Sequence, residues 1–181
     1  MLFRSPEPVT LPDPDSTARI PLATLLPMAD LSYLTFSGEV RKFPTGKGKS
    51  ILLNLWASWC APCVGELEEL AEREGELRDA GIEVLALAVD QLDGSVDASA
   101  ARKLAKRLGL PFTVGRAPRT LVSYLQKIHN DLITSSQPLP VPVSFLIDGN
   151  GRIAVIYKGR LNIAPPWTGS ASARARASAS V

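Results

Sequence analysis

Runs of apolar residues divide the first half of the chain into strands and helices. Two near-continuous apolar runs, Ile51 to Leu55 and Ile82 to Val89, predict buried strands of a parallel sheet that is covered on both faces. Between them, apolar residues recur at helical spacing from Pro62 to Asp79, where Gly75 weakens the predicted helix and Gly81 ends it. The pattern therefore indicates a strand–helix–strand unit.

The second half of the chain continues the alternation of helices and strands. Apolar spacing predicts two further helices and two further strands: Asp97–Leu108, Ala117–Ile133, Val143–Asp148 and Arg152–Lys158. The turn sequence D-G-N-G at 148–151 predicts that the last two strands form an antiparallel hairpin. A smaller hairpin is predicted over Leu31–Phe43, around Ser37 and Gly38. The fold class is therefore α/β.

The two ends of the chain differ in composition from the middle. Residues 1–30 are rich in proline and show no sustained periodicity, so they are interpreted as an extended arm or linker. Residues 162–181 are a low-complexity segment that cannot bury an apolar face, which predicts a disordered tail. One domain over 31–161 is expected between them, in a chain of 181 residues.

Charge and hydropathy exclude several classes of partner. The net charge is only +2 and the Lys and Arg residues are scattered, so we expect no nucleic-acid binding. No apolar run reaches the length of a membrane span, and Met1 to Asp15 contains no apolar segment of a signal peptide. A soluble monomer without a membrane span is the expectation.

The only two cysteines form a C-x-x-C motif where the first strand meets the first helix. Disulfide exchange requires a thiolate, and the N–H groups and dipole at a helix N-terminus stabilise a thiolate at Cys60. Pro62 suits the first helical turn because its missing N–H costs nothing there. We expect Cys60 to be the exposed attacking thiol and Cys63 the more buried resolving thiol.

The surrounding segment W-A-S-W-C-A-P-C-V-G-E, residues 56–66, resembles the TlpA/ResA-type branch of the thioredoxin superfamily. The resemblance implies that Glu66 assists proton transfer at the thiols, and its i, i+3 spacing from Cys63 puts both on one helix face. A solvated glutamate beside Glu68, Glu69 and Glu72 is the alternative. The family usually has a kinking proline where this chain has Glu68, so the resemblance leaves the kink open.

A second landmark of the superfamily is a cis-proline just before a core strand that faces the C-x-x-C motif. By position it matches Pro142, preceded by Val141; alternatively, Pro138, Pro140 and Pro142 merely stiffen a loop. The resemblance also implies a short strand at Leu110–Val114. The predicted architecture is thus a thioredoxin-like fold with a central mixed sheet flanked by helices, an N-terminal hairpin extension and an incomplete C-terminal helix.

The resemblance further implies a thiol-disulfide oxidoreductase, with a reductase favoured. Substrate contacts are expected at Trp59, Ala61, Pro62, Val141 and Pro142, whereas Trp56 is interpreted mainly as core. No cofactor beyond the redox-active cysteine pair is expected. Protein thiols or disulfides and an upstream redox donor are the expected partners, and an extracytoplasmic location is favoured.

Two other functions stay open on the sequence. Peroxide-reducing redoxins resemble this fold, but Leu53 and Ala57 stand where those enzymes usually have Pro and Ser or Thr. A redox-idle interaction module from a longer protein is the other alternative. A zinc site is not expected, because His129 is the only histidine available to complete four ligands, and a surface or hydrogen-bonded position is predicted for it.

Overall fold

An eight-stranded mixed sheet forms the centre of the computed structural model, which describes residues 18–28, 31–44, 48–90, 99–133 and 138–161. The strands are β1 Ala18–Pro27, β2 Ser32–Leu34, β3 Val40–Lys42, β4 Ser50–Trp56, β5 Ile82–Ala88, β6 Thr113–Arg116, β7 Val143–Ile147 and β8 Arg152–Lys158. The helices are α1 Ala61–Glu72, α2 Glu74–Asp79, α3 Ser99–Leu108 and α4 Arg119–Ile133. The predicted α/β class is confirmed.

Strand β4 occupies the middle of the sheet, whose order is β1-β8-β7-β4-β5-β6-β2-β3. It pairs in parallel with β5 and antiparallel with β7, and every residue after Ser50 is buried. An apolar run without alternation is what a strand covered on both faces requires. The C-terminal end of β4 therefore emerges from a rigid part of the molecule, just before the cysteine motif.

Helices cover both faces of the sheet. On one face, Leu121 and Leu125 of α4 pack against the cluster that contains Leu53 and Phe145. On the other face, α1 and α3 pack against Trp56 and Ala86, in a cluster that also contains both cysteines. Ile51, Leu53 and Leu55 of β4 belong to the first cluster and Trp56 to the second, because successive residues of a strand point to opposite faces.

Residues 18–27, which are predicted from the sequence to be part of a proline-rich arm, form the outer strand β1 and pair antiparallel with β8. The domain therefore begins earlier than residue 31. Periodicity did not reveal this strand because Pro21 and Pro27 interrupt it and its register shifts between Pro21 and Leu26. Proline is tolerated at the edge of a sheet, where one side of the backbone needs no ladder partner.

The single helix predicted over 62–79 is interrupted at Arg73, so that prediction is wrong in its continuity. Arg73 has φ −103° and ψ 10°, outside helical values, and it separates α1 from α2. Hydrogen bonds still cross the break, because the Arg73 N–H donates to the Glu69 carbonyl and the Arg73 carbonyl accepts from Leu77. The two short helices follow one another closely and together connect β4 to β5.

The predicted hairpins are both present. Strands β2 and β3 pair antiparallel across a turn in which Gly38 has a φ of +93°, a value that glycine adopts without strain. Strands β7 and β8 also pair antiparallel. The expected incomplete C-terminal helix and the tail fall on residues 162–181, outside the described residues. None of the helices within the described ranges is long and apolar enough to cross a bilayer.

Candidate active site

The C-x-x-C motif lies where β4 ends and α1 begins. Trp56 ends the strand fully buried, as predicted, whereas Trp59 in the following turn exposes 62% of its surface. Cys60 is the N-cap of α1, with extended backbone angles and a side chain that accepts a hydrogen bond from the Cys63 N–H at 3.3 Å. Pro62 falls in the first turn of α1, so the sulfur of Cys60 sits at the electropositive end of the helix.

The two cysteines are joined by a disulfide bond, with an S–S distance of 2.11 Å and Cα atoms 5.3 Å apart. Cys60 exposes 5% of its surface and Cys63 1%. Cys60 is thus the more accessible of the two, in the predicted order, although it is less exposed than expected. A reagent that approaches from solvent reaches the sulfur of Cys60 first.

The loop before β7 borders the same sulfur. The Val141–Pro142 peptide bond is cis, as predicted, and the Val141 carbonyl oxygen lies 3.7 Å from Cys60 Sγ. The fold therefore brings together residues 81 positions apart in the sequence. Of the five predicted substrate-contact residues, Trp59, Ala61 and Pro62 are exposed and Val141 is partly exposed. Pro142 is buried.

Glu66 lies three residues after Cys63 on α1 and is completely buried, which excludes the alternative of a solvated glutamate. Its Oε1 accepts hydrogen bonds from Asn54 Nδ2 at 3.1 Å and from Ser144 Oγ at 3.3 Å. Burial raises the pKa of Glu66 from 4.5 to about 8, against the opposing effects of the Leu161 backbone, Ser144 and the positive charge of Arg160. A carboxyl group with such a pKa can hold or release a proton near neutral pH.

Sequence reasoning missed the two residues that hold Glu66. Asn54 lies within one strand that is predicted from its apolar residues, and Ser144 lies within the predicted strand after Pro142. Both side chains are buried, and the two residues are direct register partners on β4 and β7. The available signal was a polar residue inside each otherwise apolar run, since buried polar side chains require partners.

Asp90 is a third residue that the sequence did not reveal. It is buried just after β5, and its carboxylate accepts hydrogen bonds from the Ser58 N–H at 3.1 and 3.2 Å and from the Ser58 hydroxyl. These bonds tie the turn that precedes Cys60 to the end of the neighbouring strand. The position of Cys60 is therefore fixed from both sides, by Asp90 through Ser58 and by α1.

His129 departs from its predicted position. It is 1% exposed on α4, and neither ring nitrogen makes a well-formed hydrogen bond with another described residue. Burial lowers its pKa, the neighbouring Asn130 side chain partly opposes this shift, and the charge of Lys158 lowers the pKa further. It lies on the helix that covers the opposite face of the sheet from α1. Among the described residues no three His, Cys, Asp or Glu side chains gather into a group that could hold a metal ion.

The chain is similar to a known family and to several known proteins. The AhpC/TSA family matches residues 26–156. The chain is 31% identical over 113 residues to the thiol-disulfide oxidoreductase ResA of Bacillus thuringiensis subsp. konkukian, covering 62% of this chain and 57% of that protein. It is 29% identical over 134 residues to ResA of Geobacillus kaustophilus, covering 73% of this chain and 67% of the relative.

A solved structure shows the same architecture. The crystal structure of a putative thiol:disulfide interchange protein DsbE from Chlorobium tepidum superposes with a TM-score of 0.59 at 24% identity, covering 77% of this chain and 88% of that chain. This likeness establishes the thioredoxin-like fold that the sequence predicted. The chain spans little more than half the length of the first ResA relative, 57%.

Proposed function

The chain belongs to the AhpC/TSA family, and from that premise we propose that it is a thiol-disulfide oxidoreductase that exchanges the Cys60–Cys63 pair with protein substrates. The observation that carries the proposal is the disulfide itself, placed at the N-terminus of α1 and against the Val141 carbonyl. A structural disulfide needs no such position, whereas a reactive one requires a stabilised thiolate and an approach from solvent.

In the reducing direction, the Cys60 thiolate attacks a disulfide of the substrate and forms a mixed disulfide. Cys63 then loses its proton and attacks the sulfur of Cys60, so that the substrate sulfur leaves as a thiolate and the Cys60–Cys63 bond forms. Two electrons pass from the dithiol to the substrate. The helix N-terminus favours the thiolate of Cys60 at the start and stabilises it as a leaving group in the reverse reaction.

Glu66 is the proposed proton acceptor for Cys63. It follows Cys63 by three residues on α1, and both side chains are buried. Because burial raises its pKa to about 8, Glu66 binds a proton readily when Cys63 gives one up and returns it when the disulfide is reduced. A carboxyl group that stayed ionised at neutral pH would have no proton to return to Cys63 when the disulfide is reduced.

Substrate binding is proposed on the surface around Cys60. Trp59 offers an exposed apolar side chain, and Ala61, Pro62 and Val141 border the sulfur. A protein segment that carries a disulfide can lie across this surface and pair with the backbone at Val141 and Pro142. An upstream redox donor, a monomeric state, an extracytoplasmic location and independence from any added cofactor are parts of the same proposal, and reduction rather than oxidation is its favoured direction.

The test is capture of the mixed disulfide. The reduced 181-residue chain carrying Cys63→Ser is mixed with a disulfide-bonded peptide whose released thiol is coloured, and the adduct is mapped by mass spectrometry. We expect a stable adduct on Cys60, because the hydroxyl that replaces the Cys63 thiol in this variant cannot resolve it. Cys60→Ser is the matched control and should form no adduct at a comparable rate.

The same experiment separates the alternatives. Absence of an adduct on Cys60, or equal reactivity of Cys63 in Cys60→Ser, would contradict the proposed roles. The peroxide-reducing alternative predicts that the reduced protein consumes hydrogen peroxide faster than the peptide disulfide. Leu53 and Ala57, at the positions that differ from that class, are fully buried apolar side chains and offer no polar group to a peroxide.

A further inference from the structure

The side chains that hold Glu66 come from the two strands beneath α1. Asn54 on β4 and Ser144 on β7 are register partners, so their side chains lie on the same face of the sheet. Asn54 Nδ2 donates to Glu66 Oε1 at 3.1 Å and to Ser144 Oγ at 3.0 Å. Ser144 Oγ donates in turn to Glu66 Oε1 at 3.3 Å. All three residues are at most 1% exposed.

The number of available hydrogens determines which group donates in each hydrogen bond of this cluster. The amide of Asn54 has two N–H groups, and both are directed to oxygens of the cluster. The hydroxyl of Ser144 accepts one of these bonds, so its single hydrogen is available for Glu66. Both side-chain donors to Glu66 therefore meet at Oε1, while no side chain among the described residues donates to the buried Oε2.

The two carboxyl oxygens are consequently not equivalent. A proton on Oε1 would compete with the hydrogens of Asn54 and Ser144, whereas a proton on Oε2 would not. A charged oxygen that is buried without a side-chain donor costs free energy, and protonation removes its charge. Oε2 is therefore the oxygen that carries the proton of neutral Glu66.

We propose that Asn54 and Ser144 are positioning residues that bind Oε1 of Glu66 and so reserve Oε2 for proton exchange with Cys63. The inference rests on the proposed function. In the resolving step the proton leaves Cys63 Sγ for Oε2, the Cys63 electron pair forms the bond to Cys60 Sγ, and the substrate sulfur departs with the electrons of the broken bond. In the reverse step the proton returns from Oε2 to Cys63.

The test follows the titration of Glu66 in the oxidised full-length chain by the ¹³C shift of its carboxyl carbon, assigned by its loss in Glu66→Gln. The wild-type midpoint is expected at about 8. Ser144→Ala removes a donor that favours the carboxylate, so the midpoint should rise by about one to two pH units. Ser144→Thr keeps the hydroxyl and should restore the wild-type midpoint.

Two further variants keep the test decisive. Tyr124→Phe removes a hydroxyl that donates to the Pro27 carbonyl, away from the cluster, and should leave the midpoint unchanged. Asn54→Asp has the same shape as the native residue but adds a second acid, and it should also raise the midpoint. It carries the test if Ser144→Ala does not fold.

The second readout is the pH profile of the resolving step, measured as release of the peptide thiol, which leaves Cys60 when Cys63 attacks the mixed disulfide. Its midpoint should move with the carboxyl midpoint in each variant. If Ser144→Ala and Asn54→Asp both exchange disulfides and both keep the wild-type titration midpoint of Glu66, the positioning role is overturned but the proposed function is not. A moved midpoint in a protein that exchanges no disulfide at any pH overturns the proposed function and, with it, the proton transfer.

Discussion

Glu66 and His129 are two buried titratable side chains on helices that cover opposite faces of the same sheet, and their surroundings differ sharply. Glu66 receives two hydrogen bonds from the strands below it, whereas no other described residue makes a well-formed hydrogen bond to the His129 ring nitrogens. Burial drives both towards the neutral form, raising the pKa of Glu66 to about 8 and lowering that of His129. Burial alone therefore does not mark a functional group; directed hydrogen bonds next to reactive sulfurs do.

The comparison predicts opposite dependences of stability on pH. The pKa of folded Glu66 lies above its ordinary value of 4.5, so its stabilising effect is complete below about 4.5 and is lost as the pH rises through about 8. The pKa of folded His129 lies below its ordinary value of 6.5, so its stabilising effect is present above 6.5 and is lost as the pH falls.

The largest effect is expected for Glu66→Gln. Glutamine has the shape of neutral glutamate but cannot ionise, so the variant should gain up to about 5 kcal/mol in unfolding free energy above pH 8 and little at pH 4.5. Disulfide exchange should slow by about 10²- to 10⁴-fold, the usual contribution of an acid–base group. Urea unfolding at both pH values and single-turnover exchange measure the two effects. Equal stabilisation at both pH values would contradict a raised pKa.

His129→Leu should give a smaller effect with the opposite dependence on pH. It removes two buried ring nitrogens that make no well-formed hydrogen bond within the described part of the chain, which is expected to add about 1–3 kcal/mol to the unfolding free energy, and more at pH 5 than at pH 8. Disulfide exchange should not change, because His129 lies on α4 and the cysteines lie on the other face of the sheet. Slower exchange in this variant would assign His129 to the site and remove the contrast.

The double variant of Glu66→Gln and His129→Leu tests whether the two regions are independent. Because the two residues have no shared partner, their effects on unfolding free energy should add to within about 0.5 kcal/mol. Its stability should also vary less between pH 5 and pH 8 than that of either single variant. A coupling well above this limit would show that the two faces of the sheet respond to each other.

The smallest effect is expected for Arg160→Gln. The guanidinium of Arg160 is 3.4 Å from Glu69 Oε2 and packs over Gly65, and its positive charge lowers the pKa of Glu66. The variant should raise the Glu66 midpoint by less than Ser144→Ala does, since the half-exposed charge is screened by solvent. In 1 M salt the difference from wild type should shrink. A larger shift than in Ser144→Ala would contradict the order of these effects.

The sequence predicted those helices and strands whose own pattern of apolar residues matches the residues that are buried in the structure. The apolar runs of β4 and β5, the α4 spacing and the D-G-N-G hairpin predicted their elements because each is stabilised by its own residues. The cysteine motif and Pro142 predicted the place of the site through their resemblance to a known superfamily. Their contact across 81 residues required only that β4 and β7 be neighbours.

The remainder depended on contacts that no local pattern specifies. Strand β1 exists because β8 offers it a partner, although its own prolines disfavour a strand. The alternatives for Glu66 stayed open because helical spacing fixes which face a residue occupies but not what lies against that face. Asn54 and Ser144 acquire their role only when β4 and β7 align, since the pairing places both side chains under Glu66.

The central claim is that Cys60 and Cys63 form a reversible disulfide, and a redox titration tests it most directly. The 181-residue chain is equilibrated in dithiothreitol or glutathione buffers, and the oxidised fraction is measured by thiol labelling, with Cys63→Ser as control. The account predicts one reversible two-electron transition, near or below roughly −270 mV for a reductase. A disulfide that neither forms nor breaks reversibly over the accessible range would contradict the account and leave the interaction module as the better explanation.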